Sequence, residues 1–157
     1  MYKNIVMHWT AGNYKPCSVD LQHYHYLIDG EGGVHRGKYE PSDNLNCTDG
    51  KYAAHCGGGN TGRIGVAICC RKDINTPPTK KQVEAMCNLS AQLCTVYGLK
   101  PSDCITHAEF GRKNPKTSSA GKIDINYLPY INLKGVEEVG KYLRNKIGWY
   151  YLKIKEI

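Results

Sequence analysis

Apolar and polar positions along this chain fall into two periods. Lys3–His8 (KNIVMH) is a short apolar run rich in β-formers, the pattern of a buried strand. Thr10–Gln22 is full of Gly, Asn, Pro and Ser and reads as a loop with room for one helical turn. Tyr24–Asp29 (YHYLID) predicts a second strand. Gly30, Gly32 and Gly33 supply its turn and Val34–Gly37 (VHRG) begins the hairpin partner. Pro41–Tyr52 is polar and turn-rich. Arg63–Arg71 (RIGVAICCR) is a long apolar run, expected as the central strand.

The period then changes. Pro77 and Pro78 stop the chain, Thr79 can cap a helix with Gln82 three residues on, and Gly98 can end it. Between them Val83, Met86, Leu89, Leu93, Val96 and Tyr97 recur at helical spacing. Cys104–His107 (CITH) predicts a short strand, and residues 110–121 a loop. Val136, Val139, Leu143 and Ile147 mark a second amphipathic helix over 136–147, and the following WYYLKIKEI alternates in part and reads as a final strand. No repeat, linker or low-complexity tract interrupts the pattern. Strands with interleaved helices predict an α/β fold: one domain over residues 1–157, with a mixed central β-sheet flanked by α-helices.

Composition narrows the class. A chain of 157 residues with 41% hydrophobic and 22% charged residues fits one folded core. No apolar run approaches the ~18 residues of a membrane helix, so no membrane insertion is expected. The opening MYKNIVMHWT reads as a strand rather than a secretion signal, which gives cytoplasmic synthesis as the expectation. Residues 111–157 hold 10 Lys+Arg against 4 Asp+Glu, so a net +6 of the total +7 lies there. Such a surface suits an anionic partner, whether nucleic acid, lipid or wall polymer. Recognised nucleic-acid motifs with clustered Arg and interleaved aromatics are missing, so no nucleic-acid partner is expected. The eight cysteines form no CxxC pair. Most read as small buried thiols, with Cys17–Cys47 as a loop pair able to bond in an oxidising place.

Candidate chemistry sits at the ends of these elements. His8 closes the first strand, His107 closes CITH, and Asp124 lies in GKIDI. Two imidazoles and a carboxylate with one open position suit a catalytic Zn²⁺. Lys122, two residues from Asp124 in an extended segment, points the same way and can meet negative charge on a substrate oxygen. Tyr24 can add a phenolic donor. The plainer alternatives are a solvated loop lysine and one more of twelve tyrosines. His25 should face away from Tyr24 as a packed histidine, and His23 and His35 read as exposed hairpin residues. Glu109 is either a partner orienting a ligand or a helix cap.

Five segments, in order, resemble one family. IVMHWTAG is similar to a first-ligand strand with its Ser/Thr-Ala, YHYLIDGEGGVHRGK to a Tyr-His-aromatic hairpin, and AAHCGGGNTGRIGVAI to an AH…N…IGV segment. THAEF and GKIDI resemble the second and third ligand motifs. The family is that of the zinc-dependent N-acetylmuramoyl-L-alanine amidases of type 2, which includes small phage lysozymes and peptidoglycan recognition proteins. The resemblance covers about residues 3–130. It implies one Zn²⁺ on His8, His107 and Asp124, and Tyr24 and Lys122 as catalytic assistants. It also implies that His55, Asn60 and Thr10 contact substrate. Some members carry a general-base Glu directly after IG[IV]; here that place holds Ala67, which points to the phage-type variant. The stretch from His8 to Tyr24 is also shorter than in relatives with a full helix there.

The implied reaction is hydrolysis of the amide between N-acetylmuramic acid and L-alanine in peptidoglycan or muropeptides. The leaving amine can take its proton from Lys122, Tyr24 or the metal's water. The implied role is a monomeric phage or prophage endolysin that reaches the wall once the membrane is breached. A wall-recycling amidase, or a non-catalytic peptidoglycan-binding module on the same fold, is the alternative.

Overall fold

The structure, a computed structural model, describes residues 1–71 and 75–156. Its frame is a five-stranded sheet built from β1 (Asn4–Trp9), β2 (Tyr26–Ile28), β3 (Val34–Arg36), β4 (Arg63–Ile68) and β5 (Cys104–Thr106), in the order β3-β2-β4-β1-β5. β4 is central, as its apolar run predicts, and pairs in parallel with β1 and β2. β1 also pairs in parallel with β5, and β3 closes the other edge antiparallel to β2. The sheet is therefore mixed, and near-continuous apolar runs are what parallel strands covered on both faces require.

Pleat parity sorts the side chains. Ile5, Met7 and Trp9 of β1, with Ile64, Val66 and Ile68 of β4, join the main core. That core lies under α2 (Lys80–Tyr97) and α4 (Val136–Lys155), which add Val83, Met86, Ala91, Leu143 and Ile147. The intervening residues point to the other face. There Val6 packs with Cys56 and with Phe110 of α3 (His107–Lys113), and His8 lies on the same side.

α2 starts and stops where its signals sit. Thr79 Oγ1 accepts from the Gln82 N–H at 3.1 Å, Gln82 Oε1 accepts from the Thr79 N–H, and Gly98 ends the helix in the left-handed conformation.

Four sequence expectations are corrected. The segment WYYLKIKEI is not a strand: α4 runs on to Lys155, and of this segment Ile157 lies outside the described residues. Leu143 and Ile147 continue at helical spacing into Tyr150, Tyr151 and Ile154, all packed against the main core. Residues 110–121 are not all loop, because α3 extends to Lys113. CITH ends one residue early, and His107 is the first residue of α3 rather than the last of a strand. The capping pair is Thr106 and Glu109: Thr106 Oγ1 accepts from the Glu109 N–H, and Glu109 Oε1 accepts from the Thr106 N–H. YHYLID forms strand only over Tyr26–Ile28. Tyr24 instead follows α1 (Ser18–His23), its N–H donating to the Asp20 carbonyl. A small hairpin of β6 (Tyr127–Leu128) and β7 (Leu133–Lys134) is an addition to the predicted elements.

All eight cysteines are free thiols and six are buried; Cys17 and Cys47 are not joined.

Candidate active site

The even-numbered face of β1 presents His8, fully buried, and its neighbour in register on β4 is Ala67. A methyl group at that position leaves room for an imidazole. The second imidazole comes from His107 at the start of α3. The carboxylate of Asp124 arrives from the chain after α3, and the Asp124 carbonyl is held there by the Ala108 N–H at 2.6 Å. His8 Nδ1 lies 3.0 Å from Asp124 Oδ2, and His107 Nδ1 lies 3.3 Å from Asp124 Oδ1. All three side chains are buried, and their three ligand atoms lie within 4.8 Å of one another.

The donor set fits a tetrahedral Zn²⁺. With bonds of about 2.0 Å, neighbouring ligands of such an ion stand about 3.3 Å apart. Burial pushes the Asp124 carboxyl up, yet the His107 and His8 rings that face it outweigh burial and hold the group well below the usual carboxylate range. The carboxylate is therefore ionised. His8 is pushed below the usual imidazole range, first by burial and against the pull of Asp124.

Above these groups is a cleft of about 550 Å³ whose lining includes Trp9, Thr10, Tyr24, His107, Lys122 and Asp124. The Tyr24 ring sits 5.0 Å from the His8 ring, centroid to centroid. Burial, reinforced by the Asp124 charge, raises the Tyr24 phenol above its ordinary value. It stays protonated at neutral pH and is a hydrogen-bond donor, not a base. Lys122 is exposed on the rim, on the same cleft as Asp124, as their two-residue spacing predicts.

A family described as N-acetylmuramoyl-L-alanine amidase matches residues 2–121, a span that holds His8, Tyr24, His55, Asn60 and His107 and stops just before Lys122. The chain belongs to that family. No curated protein matches this amidase in sequence. Solved structures share its fold. The hydrolase AmiA of Staphylococcus aureus, in complex with its ligand, is 19% identical over 99% of this chain and 76% of its own, with a TM-score of 0.64. The endolysin amidase LysCS of Clostridium intestinale URNW is 20% identical over 69% of this chain and 70% of its own, at 0.51. AmiD of E. coli, complexed with the substrate anhydro-N-acetylmuramic acid-L-Ala-D-gamma-Glu-L-Lys, is 20% identical over 68% of this chain and 48% of its own, at 0.51.

The remaining sequence candidates of the amidase separate. Thr10 reaches the cleft, and its Oγ1 accepts from the Gly12 N–H. His55 borders the cleft but is 6% exposed, and both its ring nitrogens face protein: Nδ1 meets His8 Nε2 and Nε2 meets the Arg63 carbonyl, each at 3.0 Å. Burial, with the charges of His8 and His25, holds it well below the usual imidazole range, so it is neutral. Asn60 lies away from the cleft lining. Its Oδ1 accepts from the His55 and Cys56 N–H groups at 2.9 and 2.7 Å and so shapes the turn that carries His55.

His25 is packed, as predicted: its Nε2 donates to Asn44 Oδ1 and its Nδ1 accepts from the Gly65 N–H, and burial lowers it to about 4. Glu109 caps α3 and takes a two-pronged ion pair from Arg144 of α4 at 2.7 and 2.8 Å; it does not touch a ligand ring. His23 ends α1 and borders the cleft rather than a hairpin, while His35 pairs with Asp29. Ser119 was not singled out in the sequence. It is fully buried, and its Oγ lies 2.9 Å from His107 Nε2. A serine in a Lys/Ser-rich loop carries no signal of that.

Proposed function

We propose that this amidase hydrolyses the amide between N-acetylmuramic acid and L-alanine in peptidoglycan, with one Zn²⁺ held by His8, His107 and Asp124. The observation that carries the reading is the convergence of two Nδ1 atoms and one buried carboxylate on a point at the floor of an open cleft. A Zn²⁺ there supplies a Lewis acid and an acidified water at neutral pH.

The protein's own groups do the rest. Lys122, on the rim, donates to the oxygen of the substrate carbonyl as negative charge develops on it. Tyr24 keeps its proton on the phenolic oxygen and donates from the same cleft. Trp9 and Thr10 line the approach on which the substrate seats. With Ala67 where some relatives hold a Glu, β4 offers no carboxylate base at that place. Tyr24 and Lys122 are then the protein donors available to the reacting amide.

The reading extends to a phage or prophage endolysin, synthesised in the cytoplasm and acting as a monomer on the wall. Three features support it: Ala67, the net +6 over residues 111–157, and the shared fold with the endolysin LysCS. Intact sacculi and soluble muropeptides, each treated with and without a chelator and followed by mass spectrometry, test it. The expected result is chelator-sensitive release of free L-Ala-terminated peptides, faster from sacculi. Faster cleavage of soluble muropeptides indicates wall recycling instead, and binding without product indicates a recognition module.

A further inference from the structure

Behind each metal-facing imidazole runs a hydrogen-bond chain that ends on a backbone carbonyl. On one side His8 Nε2 meets His55 Nδ1, and His55 Nε2 meets the Arg63 carbonyl. On the other, His107 Nε2 meets Ser119 Oγ at 2.9 Å, and Ser119 Oγ donates to the Gly57 carbonyl at 2.7 Å. A carbonyl only accepts, so each chain has one direction. His55 must place its proton on Nε2, which leaves its Nδ1 to accept from His8 Nε2–H. Ser119 gives its one proton to Gly57, which leaves its oxygen to accept from His107 Nε2–H. Cys56 Sγ, 3.9 Å from Ser119 Oγ, faces the same hydroxyl.

A glycine makes room for one of these partners. A Cβ at Gly65 would stand 2.6 Å from the His55 ring. The glycine of the IGV run thus leaves the space that the His55 ring fills.

We infer that Ser119 and His55 are positioning residues that lock His107 and His8 in the Nε2–H tautomer, so that both offer Nδ1 to the metal. The inference rests on the zinc reading and deepens it. Outer partners of this kind fix ring orientation as well as proton position, and their loss typically costs about 10–100-fold in metal affinity.

Nitrogen-15 NMR of the zinc-loaded wild-type protein tests the tautomers directly, and competition with a chromogenic chelator measures affinity. Both ligand imidazoles should show a protonated Nε2 and a metal-bound Nδ1. Ser119→Ala and His55→Ala should each bind zinc about 10–100-fold more weakly. Ser119→Thr, which keeps the hydroxyl, and His55→Asn, which keeps an acceptor near the Nδ1 position, should regain most of that loss. Coordination of either ring through Nε2 overturns the inference, whatever the variants do. So does unchanged affinity in both alanine variants, or an equal loss in the alanine and conservative variants. A wild-type protein that takes up no zinc sinks the metal reading itself, and this inference with it.

Discussion

His8 meets Asp124 on the side of the sheet away from the main core because it occupies an even position on a strand whose odd positions, Ile5, Met7 and Trp9, build that core. The ligand is thereby fixed by the same alternation that buries its neighbours. Two replacements separate metal binding from catalysis. His8→Ala should lose zinc and turnover together, as elemental analysis and product release will show. Lys122→Ala should keep stoichiometric zinc and lose about 10²–10³ in kcat, the usual weight of one preorganised donor to an oxyanion. A Lys122→Ala enzyme with near wild-type kcat would remove that lysine from the reaction. The residues proposed to touch the reaction stand out in the sequence because their types are chemically particular. The groups behind them do not: Ser119 looks like any loop serine, and the reason for Gly65 appears only once the His55 ring lies against it.

Elements were legible wherever boundary chemistry and periodicity agreed. Thr79, Gln82 and Gly98 bracket α2 in the sequence as in the structure. Thr79→Ala should cost about 1 kcal/mol, seen as a fall of about 2–4 °C in Tm. The aromatic Trp149, Tyr150 and Tyr151 suit a strand by local preference, yet α4 continues through them because their helical face meets α2 and the core. α3 carried its own signal, Thr106 followed by Glu109, but it is short and interrupted by Gly111, so the capping pair was the only guide.

Contacts between elements also set a pH dependence. Glu84 of α2 receives a hydrogen bond from Tyr150 and an ion pair from Lys146, both of α4. Burial raises its carboxyl, but those partners prevail and hold it below the ordinary value of 4.5. A carboxylate lowered on folding stabilises the fold above its unfolded pKa, and that contribution disappears as pH falls through the folded one. The Tm difference between wild type and Glu84→Gln should therefore be present at neutral pH and shrink as the pH is taken below 4.5. A difference that is constant with pH would show that the ion pair contributes nothing. Partial exposure of both side chains keeps the expected effect small.

At the scale of the molecule, the site draws on separate regions. His8 belongs to the first strand, His107 to α3 beyond the central helix, and Asp124 to the chain that follows, 116 positions from His8. A metal that joined them would stabilise the whole fold. Chelation should lower Tm, with about 2.7 kcal/mol at stake when free zinc stands at about 100 times Kd. Zinc returned to the sample should restore the midpoint; a Tm indifferent to both additions would mean that no metal bridges these segments. Order matters here as well as position. Asp124 follows both histidines in the sequence, and Arg144, which braces α3 through Glu109, comes later still. A polypeptide emerging from the ribosome therefore carries no complete set of the three proposed ligands until Asp124 has been made. A product that stops short of Asp124 should therefore release no peptide from sacculi.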